Sequence, residues 1–71
     1  MKGYNGFPNW TQWNVSLWIN NDEGLYRLAQ SAKREHTTKN AAARAMLEYL
    51  PEKTPDGARY TFTSVRRALA D

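Results

Sequence analysis

The chain has 71 residues, with ten Lys and Arg against seven Asp and Glu, one His and no Cys, for a net charge of +3. A chain of that length is one domain, here expected to span 1–71, and buries only about 60% of the surface its unfolded form exposes, so its interior needs large side chains. Without Cys, disulfides and thiolate metal sites are excluded and a reducing compartment is favoured. No apolar run approaches the ~20 residues of a membrane span, and Met-Lys-Gly-Tyr-Asn-Gly has no signal-peptide character, so a soluble cytoplasmic protein is expected.

Residues 1–8 read as an irregular arm, because two Gly, an Asn-Gly pair and a Pro break any period while Tyr4 and Phe7 supply something to bury. A first helix is predicted from Asn9, with Asn9 and Gln12 in capping-box spacing. At about 100° per residue, Trp10, Trp13 and Leu17 share a face, and Val15, Trp18 and Ile19 extend it round one side. This helix should be the most buried element, with its indoles forming the interior. Asn14 projects inside the apolar arc, where a buried amide must be fully hydrogen-bonded or cost about 1–3 kcal/mol; it is a structural pin or a binding contact.

Asn20-Asn21-Asp22-Glu23-Gly24 reads as a stop followed at once by a start, with Asn20 and Glu23 repeating the capping box and a second helix over about 21–35. Leu25, Leu28, Ala29 and Ala32 form its inner stripe, and Glu23 and Arg27 are a favourably oriented i,i+4 pair. Thr38 is the expected N-cap of a third helix from Lys39 to Leu50, ended by Pro51, with Ala42, Ala45, Met46 and Tyr49 on one face. Pro55-Asp56-Gly57 marks a turn. Arg59 to Thr63 alternates like a strand, but one strand lacks a partner, and a connector is preferred. A last helix from Thr61 or Thr63 to Ala70 puts Phe62, Val65, Ala68 and Leu69 inward and leaves Arg66 and Arg67 outside. The expected fold is all-α, a compact bundle of three to four short helices with an aromatic N-terminal arm. Its core is expected to include Trp10, Trp13, Asn14, Leu17, Trp18, Leu25, Leu28, Met46, Tyr49, Val65 and Leu69.

Tyr4-Asn5-Gly6 followed by Asn9-Trp10-Thr11-Gln12-Trp13-Asn14-Val15-Ser16-Leu17-Trp18-Ile19-Asn20-Asn21-Asp22 resembles the motif of small uncharacterised proteins encoded by phages and plasmids. Their common form reads Asn-Tyr-Glu-Thr-Trp-Asn-Val-x-Leu-Trp-Ile-x-Asn-Asp. Trp10 stands where Tyr is usual, and Thr11-Gln12 replace Glu-Thr. The resemblance implies an origin among accessory genes of mobile elements, many of whose small products bind and disable host proteins. It carries no activity, cofactor or catalytic residue with it.

An enzyme is not expected. No nucleophile stands near a base, and Ser16, Ser31 and Ser64 lie in helical contexts without a catalytic signature. His36 has no companion ligands and reads as a capping or surface residue. Asp22 and Glu23 are adjacent, so they do not face each other as a carboxylate pair. No cofactor or metal is expected. Nucleic-acid binding is the competitor: the second and third helices could mimic a helix-turn-helix, with Lys39, Asn40 and Arg44 on the recognition helix and Arg66 and Arg67 adding phosphate contacts. The third helix is mostly Ala, however, and the charge excess is modest. The leading expectation is therefore a protein that binds a host protein, through Tyr4, Asn5 and Phe7 of the arm or through the exposed arginines Arg27, Arg34, Arg66 and Arg67. Inhibition of a host defence system such as restriction or CRISPR interference follows by analogy of origin. A homodimeric structural or replication component is the third class.

Overall fold

Four α-helices make up the fold in a computed structural model that describes residues 6–70: α1 (Trp10–Asn21), α2 (Glu23–Glu35), α3 (Lys39–Leu47) and α4 (Phe62–Leu69). The protein is all-α. Among the described residues no strand forms, and no helix is long and apolar enough to cross a membrane.

Each helix starts on a side chain that satisfies an orphan amide of its first turn. Asn9 accepts from the Gln12 amide at 2.9 Å and Thr38 from the Ala41 amide at 3.1 Å. Thr61 and Ser64 form a reciprocal capping box on α4.

The α1–α2 joint differs from the expectation. Asn20 does not cap α2; it stays in α1, where its Nδ2 donates to the Ser16 carbonyl at 2.9 Å, while Asn21 Nδ2 donates to the Leu17 carbonyl at 2.9 Å. Those bonds add side-chain partners to the Ser16 and Leu17 carbonyls near the end of α1, which runs on to Asn21. Asp22 alone closes one helix and opens the next: its amide donates to Trp18 O at 2.9 Å and its carboxylate accepts from the Leu25 amide at 3.0 Å.

Helix α3 ends at Leu47, short of the predicted Leu50. A residue before proline is pushed out of the α region, so Leu50 cannot continue the helix into Pro51. The amides of Glu48 and Tyr49 tighten onto Ala45 and Met46 carbonyls, and Leu50 turns in against the core. Tyr49 is thrown outward to 76% exposure, which corrects its assignment to the core.

From Pro51 to Thr61 the chain is a folded connector. Lys53 and Arg59 form an antiparallel bridge, the Tyr60 amide donates to Glu52 O at 3.1 Å, and Gly57 turns the chain at a φ of +98°. Ala58 and Tyr60 are buried by it.

The core joins Val15 and Ile19 of α1 to Ala29, Ala32, Ala42, Ala43, Met46, Val65, Ala68 and Leu69. The alanines let the helices approach closely, leaving room for Val, Ile, Met and Leu but little for indoles. Trp13 and Trp18 are accordingly half-buried, and Trp10 and Leu17 are 37% and 38% exposed. The indoles therefore do not form the interior. Trp10, Trp13 and Leu17 do share a face of α1, but Val15 and Ile19 lie opposite and take the core. Leu25 and Leu28 are half-buried, Leu28 against the core; Asn14, Met46, Val65 and Leu69 are fully enclosed.

Candidate functional site

Asn14 is the buried polar group on which the site is organised. Its Nδ2 donates to Asp56 Oδ2 at 3.0 Å, and its Oδ1 accepts from the Thr54 hydroxyl at 2.7 Å. Thr54 Oγ1 in turn accepts from the Ala58 amide at 3.0 Å, and Trp18 Nε1 donates to the same Asp56 oxygen at 2.9 Å. The Thr54–Ala58 turn is thereby clamped on α1 by one amide and one indole. The two donors hold the Asp56 carboxyl below its ordinary value of 3.8, the Asn14 bond being the larger cause, against a smaller opposing effect of desolvation. Burial pushes the Tyr60 hydroxyl upward, helped by the negative charge of Asp22.

The clamp fixes Trp18 beside a shallow open groove of about 330 Å³ that it lines with Leu17, Asn21 and Asp22. Leu17 and Trp10 lie seven residues apart, two turns along the same side of α1, with Trp13 between them. Tyr26, four residues beyond the Asp22 joint, is also exposed. A second, smaller groove of about 210 Å³ runs between α2 and α3 over Leu28, Ala32, Ala45 and Met46, with Tyr49 along its lining.

The arginines expected to be free for a partner are held in different ways. Arg27 pairs with Glu23 on the exposed face of α2, and Arg34 is exposed near the end of that helix. Arg66 is half-buried and donates from Nε to Asn40 Oδ1 at 2.7 Å; the half-buried Arg67 lies with its guanidinium 4.4 Å from the centre of the Phe7 ring. Neither is the fully outward side chain that the helical pattern implied. Phe7 of the arm is half-buried, whereas Tyr4 and Asn5 lie outside the described residues. Lys39, Asn40 and Arg44, read as a recognition helix, share α3, where Arg44 sits 4.9 Å over the Phe62 ring. Among the described residues no three His, Asp or Glu side chains are arranged to hold a metal ion.

Sequence reasoning missed Asp56. Its Pro-Asp-Gly context explained it fully as a turn residue, and nothing local signalled that a carboxylate there would meet Asn14 and Trp18. The unassigned amide of Asn14 was the only trace of the clamp.

Residues 1–69, which take in all four helices, match the model of a family of unknown function (DUF7249). The chain belongs to that family. No curated protein and no solved structure matches it.

Proposed function

We propose that this chain is a non-enzymatic accessory protein of a phage or other mobile element that binds a host protein stoichiometrically, as an inhibitor of a host defence system of the restriction or CRISPR-interference type. One observation carries the binding part: α1 turns Trp10 and Leu17 to solvent on a single side, next to a groove, in a chain with little apolar material to spare. Trp is among the residues that dominate interface energies when a partner covers it, and clustered exposed apolar side chains mark interaction sites. The clamp of Asp56 on Asn14 and Trp18 supports the same reading, because a preorganised rim loses less entropy on binding. The element of defence inhibition is supported by the motif resemblance.

Capture from host lysate with the tagged full chain, compared with a Trp10→Ser/Leu17→Ser variant, tests the binding. A partner recovered in equimolar amount by the wild type and lost by the folded variant is expected. Recovery of nothing above background, or equal recovery by both, refutes the α1 surface. For the defence element, expression in a restricting host should raise the plating efficiency of unmodified phage; unchanged plating counts against it.

A further inference from the structure

Helices α3 and α4 carry Lys39, Arg44, Arg66 and Arg67 and contain no Asp or Glu between them. The ion pairs of Glu23 with Arg27 on α2 and of Glu52 with Arg59 in the connector lie elsewhere. The acids that flank them in sequence are Glu48, the C-cap of α3 one turn beyond Arg44, and Asp71, which lies outside the described residues. Arg44 and Arg66 lean on neutral groups: Arg44 covers the Phe62 ring, and Arg66 bonds to Asn40. Such contacts orient a guanidinium without cancelling its charge, as a carboxylate would.

Those two contacts also set the register. Asn40 meets Arg66 while Arg44, one turn further along α3, meets Phe62, one turn earlier on α4. The helices therefore run antiparallel, and Arg44 and Arg66 are offset by about one helical turn along the helix axes. Lys39, the first residue of α3, adds a further exposed positive charge at that end of the helix pair. The large exposed apolar side chains, Trp10, Leu17, Tyr26 and Tyr49, belong to α1, α2 and the turn after α3. A protein partner would need an apolar centre to this patch, which those positions do not supply. A phosphate backbone needs only oriented positive charge and donors.

We propose that the α3–α4 face binds the phosphate backbone of duplex nucleic acid without reading its sequence. The site is separate from the α1 surface and does not depend on the function proposed for that surface.

Fluorescence anisotropy of a labelled 20-base-pair mixed-sequence DNA duplex with the full chain tests it. With Lys39, Arg44 and Arg66 engaging about three phosphates, affinity should fall about 40-fold between 50 and 200 mM salt. Lys39→Gln, Arg44→Gln and Arg66→Gln should each weaken binding and reduce the salt slope by about 1, while Arg27→Gln leaves both unchanged. Lys39 is exposed, so its variant remains informative if an arginine variant fails to fold. No binding at 50 mM salt overturns the proposal, as does equal weakening by Arg27→Gln. Displacement of the duplex by polyglutamate as effectively as by unlabelled duplex, charge for charge, would show an acidic polypeptide to be the occupant and would overturn it too.

Discussion

Asn14 on α1 and Asp56 in the connector, 42 positions apart in sequence, are joined by a 3.0 Å hydrogen bond from Nδ2 to Oδ2. Through it the last third of the chain is tied to the first helix beside the exposed face of α1. The pair is a stability device and a positioning device at once, since the carboxylate also receives the Trp18 indole.

Replacing Asn14 by Ala should destabilise the protein by about 1–3 kcal/mol, because the enclosed Thr54 hydroxyl loses its acceptor and Asp56 loses a donor. Urea unfolding followed by circular dichroism measures this. A loss below a few tenths of a kcal/mol would show that the clamp contributes nothing to folding.

Acid should release the clamp. The Asp56 pKa is lower in the folded protein than in the unfolded chain, so its contribution is complete above the unfolded value of about 3.9 and disappears as pH falls through the folded pKa. Thermal unfolding between pH 6 and pH 2 should therefore show the wild type losing its advantage over Asp56→Asn below about pH 4. Parallel Tm curves for the two proteins across that range would contradict the assignment.

Substitutions on α1 should separate its two faces. Ile19→Ala, in the core, should cost about 2–5 kcal/mol, whereas Trp10→Ser and Leu17→Ser should each remain within about 1 kcal/mol of the wild type. Denaturant midpoints decide the matter. Comparable losses at Ile19 and Trp10 would restore the indole to the interior.

Gly57→Ala should destabilise by about 1–2 kcal/mol, the cost of holding an L side chain in the left-handed region. An added Cβ there meets nothing within 4 Å, so the effect comes from the backbone alone. Its measure is the Tm, which Gly57→Asn should lower less than Gly57→Ala does, because Asn tolerates that region better.

The helical class, the Asn9 and Thr38 N-caps and the inner stripes of α2 and α4 were legible in the amino-acid order. Local rules govern them: a Thr or Asn ahead of an apolar period is satisfied by amides two or three residues away, and α2 and α4 each have one clearly apolar side. Locality also explains two near misses. Asn20 and Asp22 are both good caps only two positions apart, and the choice fell to Asp22 once Asn20 and Asn21 bonded back into α1. The end of α3 was displaced by the demand of Pro51 on Leu50.

Which side of α1 faces inward was decided by tertiary packing. Trp10, Trp13, Val15, Leu17, Trp18 and Ile19 surround that helix, so its period has no preferred direction. The alanines of α2 and α4, the helices packed on α1, select Val15 and Ile19 because bulkier rings do not fit between closely approaching backbones. The partners of Asn14, the seat of Arg67 over Phe7 and the contacts of Arg44 with Phe62 and of Arg66 with Asn40 likewise arise from elements distant in sequence. A linear pattern specifies what each segment can bury, but long-range contact determines which of several equally apolar or polar faces is covered and which is left to meet another molecule.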